Sequence, residues 1–267
     1  MTAKLLDGKN LRDKILNELI SKVDKLKSKP TLAIILVGSD PASEIYVREK
    51  EKAARYIGIN FRLVKKPPSI KQTELEEIIE NLNRDTKVKG IVVQKPLPKQ
   101  IDGEKIDRLV APEKDVDGLN PASDFYPATA KGVLELLRKA KIKMAGKDAV
   151  VVGRSKLSGL PTALLLIKGD ATVTICHSKT NNLKEKTSDA DILIAAAGVP
   201  KLVTADMVKS GAAVIDVGIN RVGKRVIGDV DFERVKKKAS FITSVPGGVG
   251  PMIVAGLMMN LVEAAEK

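Results

Sequence analysis

Thr31–Val37 holds six apolar residues in seven, too short for a core helix and too unbroken for a half-exposed strand. Such a run predicts a parallel strand buried on both faces. Parallel strands need crossover connections, and here helical periodicity alternates with short strands along the chain. The expected class is α/β. A length of 267 residues suits one large or two modest domains.

In the N-terminal half, Asp7 caps a predicted helix reaching about Lys27, with Leu11, Ile15, Leu19 and Val23 on one face. After the Thr31–Val37 strand, the turn Gly38–Ser43 leads into a helix that Gly58 ends. A strand at Phe61–Lys65, a break at Pro67-Pro68, a helix over Thr73–Arg84 and a strand at Val88–Gln94 follow. Lys114–Pro121 has no apolar periodicity and reads as a loop and candidate hinge. Beyond a helix at Ala130–Lys139, strands are expected at Ala149–Val152, Ala171–His177, Asp191–Ala196 and Ala213–Val217. Helices are expected near Leu160–Lys168 and Ala205–Lys209. Arg225–Asp229 and Ser240–Thr243 are candidate short strands, and the glycine-rich loop Pro246–Pro251 precedes a last helix, Met252–Ala265.

Lys and Arg number 46 against 33 acids, a formal charge of +13. The basic residues are scattered, and the one short run, Lys236-Lys237-Lys238, carries no aromatics. A solvated, Lys-rich surface with anionic small-molecule ligands superimposed accounts for this better than nucleic-acid binding. The chain has no Trp and only seven other aromatics, which leaves little for base stacking. Its one cysteine, Cys176, precludes an intramolecular disulfide and reads as a buried strand residue. No signal peptide precedes the first helix and no apolar stretch is read as spanning a bilayer. The expectation is a soluble cytoplasmic protein with no membrane or nucleic-acid partner.

Val150–Ser155 reads as a strand running into a glycine turn at Gly153, with Arg154 and Ser155 next and Gly159 opening a helix. Glycine lets backbone approach a phosphate, and a helix start supplies free N–H groups. The spacing is not G-x-G-x-x-G, so on spacing alone a dinucleotide site and an ordinary tight turn stay equally open. The next strand ends in His177-Ser178-Lys179-Thr180, without the acid that usually bonds an NAD ribose. Arg154, Ser178 and Lys179 suit a ribose phosphate instead, which favours NADP. His177, the only histidine, reads as a satisfied strand-end residue or a cofactor neighbour, and it leaves no histidine set for a metal. Ala197 and Gly198 end another strand, where small residues leave room for a flat ring or simply allow close helix–sheet packing.

Lys50, taken alone, sits in the charge-rich stretch Arg48–Lys52 and reads as a surface lysine. Yet Tyr46 and Lys50 lie four apart on one helix, so an aromatic ring and an amine project together. Around them stand Pro41-Ala-Ser43, Gly90-Ile-Val-Val-Gln94-x-Pro-Leu-Pro98, Lys114-Asp-Val-Asp117-Gly118, Val151-Val-Gly-Arg-Ser155, Val214-Ile-Asp-Val-Gly-Ile-Asn220 and Pro246-Gly-Gly-Val-Gly-Pro-Met252. In this order and spacing the set resembles the bifunctional methylenetetrahydrofolate dehydrogenase/methenyltetrahydrofolate cyclohydrolase family over nearly the whole chain.

The resemblance implies two α/β domains flanking a cleft, the C-terminal one a Rossmann-like parallel sheet. Residues 1–119, completed by a C-terminal helix at 251–267, would bind folate, and residues 120–250 would bind NADP. It also implies roles. Tyr46 stacks on the folate rings, Lys50 is the principal catalytic residue, Gln94 orients it, and Asp117 holds the donor edge of the pterin. Pro246, Gly247 and Gly248 border the substrate. Gly153, Arg154, Ser155, Ser178 and Ile219 touch the cofactor. Tetrahydrofolate one-carbon derivatives are the implied partners, with a homodimer through the cofactor domain, a place in one-carbon metabolism and purine biosynthesis, and no metal. Two departures stand out. Ala128-Thr129-Ala130 replaces a common Cys-Thr-Pro, and Leu160-Pro161-Thr162 replaces Arg-Pro-Met, which puts a cofactor contact from position 160 in doubt. Two alternatives remain: a dehydrogenase-only member of the family, or another two-domain NADP-dependent dehydrogenase of small acids.

Overall fold

The computed structural model describes residues 2–223 and 225–267. Its elements begin with β1 (Lys4–Leu6), α1 (Gly8–Val23), β2 (Thr31–Val37), α2 (Pro41–Tyr56), β3 (Asn60–Lys66), α3 (Gln72–Arg84), β4 (Val88–Val93), α4 (Gly103–Leu109) and α5 (Ala128–Lys139). They continue with β5 (Asp148–Val152), α6 (Gly159–Lys168), β6 (Thr172–Cys176), α7 (Leu183–Thr187), β7 (Ile192–Ala195) and β8 (Ala213–Asp216). Last come β9 (Asn220–Val222), β10 (Arg225–Ile227), α8 (Phe232–Val235), β11 (Phe241–Thr243) and α9 (Val249–Glu266). They form two compact units. The N-terminal unit comprises Asp13–Ala128 and Val254–Lys267, and the C-terminal unit the chain up to Arg12 with Thr129–Ile253.

The N-terminal unit is built on a parallel sheet of order β3-β2-β4. β2 is central, which explains its unbroken apolar run: Leu32, Ala33, Ile34 and Ile35 are fully buried. β3 is an edge, and its charged side chains keep that edge soluble. Arg62, Lys65 and Lys66 pair there with Asp85, Glu44 and Glu74. Leu75, Ile79 and Leu82 on α3 pack against Ile35, Ile91 and Val93 of the sheet. Ile106 of α4 joins that core. The sequence patterns left α4 unread because its seven residues, GEKIDRL, show no full apolar stripe. The last part of α9 is fixed by the buried Asn260, whose amide donates to the carbonyls of Val116 (2.8 Å) and Tyr126 (2.9 Å). At the amino ends of the strands, Lys22, Lys25, Lys27, Lys29, Lys87 and Lys89 line one broad concavity. Among the described residues none of these six pairs with a carboxylate.

The C-terminal unit carries a six-stranded sheet of order β1-β11-β8-β7-β5-β6, all pairs parallel, and a β9–β10 hairpin. Strand order reverses between β5 and β7, and ligands bind at the carboxyl ends beside such a switch point. Its core is aliphatic, with Val150, Val152, Leu193, Val214 and Ile242 in contact.

Several expectations need correction. The expected N-terminal domain begins at residue 1, but β1 pairs with β11, so residues up to Arg12 cluster with the C-terminal unit. The helix expected over Ala205–Lys209 is a single 3-10 turn, Ala205–Met207. The helix capped by Asp7 stops at Val23, four residues early. α9 is long and apolar enough in composition to cross a bilayer, as a buried core helix can also be. Its Ala255, Leu257, Met258 and Leu261 are instead fully buried in the protein.

Candidate active site

On the N-terminal unit, Asp40 caps α2, accepting from the Ser43 backbone N–H at 2.8 Å and the Ser43 hydroxyl at 2.9 Å, with Pro41 in the first turn. The cap fixes the start of the helix and therefore the face that Tyr46 and Lys50 share. The charge-rich stretch disguised Lys50: only 6% of it is exposed. Its Nζ donates to Gln94 Oε1 at 3.0 Å. Gln94 follows β4, where its backbone N–H bonds the Ile35 carbonyl (2.9 Å) and its Nε2 donates to the Lys95 carbonyl (2.9 Å). That second bond leaves Oε1 as the atom turned to the lysine, so the amide is held at both ends. Tyr46, one helical turn away, is 37% exposed, an aromatic surface that the protein leaves uncovered.

Asp117 is half-buried in the loop after the Pro112–Lys114 turn. The structure gives it no hydrogen bond to Lys50 or Gln94; its loop is held by Asp115, which patterns alone did not single out. The buried Asp115 carboxylate accepts from the backbone N–H groups of Gly118 (3.2 Å) and Asn120 (2.7 Å). Burial pushes its pKa up to about 6 against those bonds. Gly118 has φ +74°, and a Cβ there would press on the backbone of Tyr126 and Pro127, so the turn needs glycine. Beside the site Lys95 pairs with Asp107 at 2.7 Å.

On the C-terminal unit, Gly153 follows β5 with φ +126°, and its N–H bonds the Cys176 carbonyl at 2.8 Å. A side chain at Gly153 would collide with the Ala196 carbonyl, and one at Gly159 with the Gly153 carbonyl. The two glycines thus bring the β5 turn, the α6 start and the loop after β7 into close contact. Arg154 and Ser155 are exposed on this turn, and the Ser155 and Ser158 hydroxyls lie 2.8 Å apart. After β6, His177 Nδ1 accepts the Lys179 N–H at 3.1 Å, which puts the proton of a neutral ring on Nε2. The Thr180 hydroxyl accepts the His177 N–H at 2.9 Å. Ser178 and Lys179 are exposed at the tip. This cradle fits a dinucleotide: a tight glycine turn into a helix start, the exposed cations Arg154 and Lys179, neither of them paired among the described residues, and no acid at the β6 end.

Ala197 and Gly198 are exposed, but their N–H groups turn inward to the Asp229 carboxylate at 2.7 and 2.8 Å. Ile219 follows β8 and is also exposed. Gly247, with φ +109°, lies in a loop bonded to the start of α1, where the Lys9 backbone N–H donates to the Gly247 carbonyl at 3.2 Å. A side chain at Gly8 would strike the Gly248 carbonyl. Ser244 Oγ donates to the Pro246 carbonyl at 3.0 Å. Among the described residues no three His, Cys, Asp or Glu side chains gather as a metal site would require.

A parallel sheet with a glycine cradle at its switch point, accompanied by a buried Lys–Gln pair on a second α/β unit, defines a two-unit nucleotide-dependent enzyme class. Residues 6–117 match the family model for the tetrahydrofolate dehydrogenase/cyclohydrolase catalytic domain, and residues 127–267 that for its NAD(P)-binding domain. The chain belongs to the tetrahydrofolate dehydrogenase/cyclohydrolase family. It is 50% identical to the bifunctional protein FolD of Moorella thermoacetica, with all of both chains covered. The crystal structure of the bifunctional enzyme FolD from Campylobacter jejuni superposes with a TM-score of 0.96 at 45% identity, covering 99% of each chain. The Trypanosoma brucei enzyme, solved with NADP cofactor and an inhibitor, has a TM-score of 0.95 at 37% identity, covering 100% of this chain and 98% of that one.

Proposed function

We propose that this chain oxidises methylenetetrahydrofolate to methenyltetrahydrofolate with NADP and then hydrolyses that product to formyltetrahydrofolate. The observation that carries the reading is the Lys50 amine, buried and held at 3.0 Å by Gln94 beside the uncovered Tyr46 ring. Membership of the family supports it.

In the first step a hydride leaves the one-carbon bridge, and NADP, when bound, accepts it. The folate product is a cation delocalised over two nitrogens, so the step needs alignment more than a base. Tyr46 stacks on the folate rings, and Asp117 holds the pterin's donor edge. In the second step water adds to the cationic carbon. One ring C–N bond then breaks, the ring nitrogen takes one proton, and a second is released. Lys50 handles the proton traffic at this carbon, and Gln94 fixes the direction of its amine. Arg154, Ser178 and Lys179 take the ribose phosphate of NADP, and the lack of an acid at the β6 tip supports NADP over NAD. The turn at Gly153 and Ser155, with His177, Ala197, Gly198 and Ile219, frames the rest of the cofactor. The Pro246–Gly248 loop borders the substrate.

A homodimer through the C-terminal unit belongs to the proposal. Leu157, Leu160, Leu164 and Ile167 present an exposed apolar stripe on and before α6, beside the edge strand β6. The unpaired thiol of Cys176 suits a reducing cytoplasm.

The test is purified protein with methylenetetrahydrofolate and NADP, followed by NADPH absorbance and, after acid quenching, by methenyl absorbance. NADPH without accumulated methenyl product supports both activities. Accumulating methenyl product reduces the proposal to a dehydrogenase, and no NADPH with either nucleotide overturns it.

A further inference from the structure

The most fully enclosed carboxylate outside the Lys50 cluster is Asp229, with no exposed surface at all. Its Oδ2 accepts the N–H groups of Ala197 (2.7 Å) and Gly198 (2.8 Å), and its Oδ1 accepts Asn220 Nδ2 (2.8 Å). Asp229 is anchored in turn by a second buried carboxylate. Asp216 at the end of β8 accepts the N–H groups of Asp229 and Gly218 on Oδ1, both at 3.0 Å, and that of Val230 on Oδ2 at 3.0 Å. Room for this stack comes from two glycines: a side chain at Gly218 would meet the Asp229 carboxylate, and one at Gly228 the Asp216 carboxylate.

A buried carboxylate is costly unless its lone pairs are filled, and here donors fill them. What these donors belong to gives the arrangement its meaning. Ala197 and Gly198 form the exposed loop after β7, next to the switch point, and Asn220 follows the exposed Ile219 after β8. Amides of an exposed loop ordinarily face water or a ligand. Here two successive ones are drawn inward, so the loop's outer contour is dictated from beneath. The Asn220 side chain, its NH2 spent on Asp229, carries the same constraint to the next strand end.

We propose that Asp229 is a positioning residue for NADP: it sets the loops after β7 and β8, and cofactor binding depends on it while hydrolysis of the methenyl substrate does not. The inference rests on the proposed dehydrogenase/cyclohydrolase reading. Asp229→Asn keeps the shape but removes the charge and one of the two acceptor oxygens. The expected result is an NADP Kd and KM raised about tenfold to a hundredfold, the scale of a charge-assisted hydrogen bond. Cyclohydrolase activity, assayed on methenyltetrahydrofolate without nucleotide, stays within about twofold of the parent value. Asn220→Ala, which keeps the carboxylate, weakens NADP binding severalfold and decides the matter if Asp229→Asn does not fold. An NADP Kd unchanged in the folded variants, or a parallel loss of both activities, overturns the proposal. Direct titration of NADP keeps the two readings apart. Wild-type protein that binds NADP but oxidises no folate defeats the function, while the ratio of the variant and wild-type Kd values still judges Asp229.

Discussion

Lys50 and Gln94 sit on different elements, one mid-helix and one just past a strand, yet the amine meets the amide oxygen at 3.0 Å. The Gln94 amide is itself held by the Lys95 carbonyl, so it cannot turn its NH2 toward the lysine without breaking that bond. Lys50→Met removes the amine at similar bulk. Cyclohydrolase activity is expected to fall about 10²- to 10⁴-fold, the range for loss of a general acid–base group. NADPH formation falls less, because hydride departure needs no base. Full cyclohydrolase activity in this variant would sink the assignment. Gln94→Ala leaves the amine without its guide and gives an intermediate loss.

Gly153 meets the Ala196 carbonyl with no room for a methyl group, at a φ of +126° that side chains rarely adopt. Gly153→Ala therefore strains the turn, at about 1–3 kcal/mol. A lower Tm and a weaker NADP affinity should appear together, read by thermal melts with and without NADP. An unchanged melt with full NADP stabilisation would show that the turn relaxes freely.

Asp115 and Asp216 both have pKa values raised to about 6, in each case first by burial. Their unfolded values lie near 4. Between about pH 4 and pH 6 the native state binds more of these protons than the unfolded chain. Their contribution to stability is therefore greatest below pH 4 and is lost as pH rises toward 6. Asp216→Asn should flatten the stability-versus-pH curve in that window, by on the order of 2–3 kcal/mol across it. Urea melts at pH 4, 5, 6 and 7 measure this, and an unaltered slope would contradict the burial argument.

Leu164 is half exposed at the centre of the apolar stripe on α6. If that stripe joins two copies, Leu164→Glu converts dimer to monomer, as light scattering after size exclusion would record. A wild-type protein that already runs as a monomer removes the dimer proposal.

The six lysines at the amino ends of β2, β3 and β4, unpaired among the described residues, repel one another. Lys87→Glu is expected to raise Tm at low ionic strength, with the gain shrinking in about 1 M salt as screening shortens to a few ångströms. A gain that persists in high salt would mean that charge repulsion is not its source.

β2 was legible because its central place in the sheet writes itself as unbroken aliphatics, and α3 because one face alone is buried. β1 and β9, three residues each, are too short to carry a period. Lys50 can be placed on a face with Tyr46 but not known to be buried, since its neighbours in sequence are charged and its partner Gln94 lies 44 positions away. Asp229 escaped notice for a related reason. Its partners lie at positions 197, 198, 216 and 220, and nothing local distinguishes a carboxylate that bonds distant amides from one that faces water. The one sequence trace was the pair of glycines at 218 and 228, which only the close approach of the carboxylates explains.

Lys4 pairs with Phe241 and Leu6 with Thr243. The outermost strand of the six-stranded sheet thus lies far ahead, in chain order, of its one neighbour among the described residues. Without β11, β1 has no native partner among them, and the N-terminal unit likewise needs the last part of α9. Neither unit is a single continuous stretch of chain, so each is completed only by contacts of long sequence separation, which slow folding. The practical corollary is that no single cut parts the two units with both intact, whereas co-expressed fragments broken in an exposed loop retain a route to both.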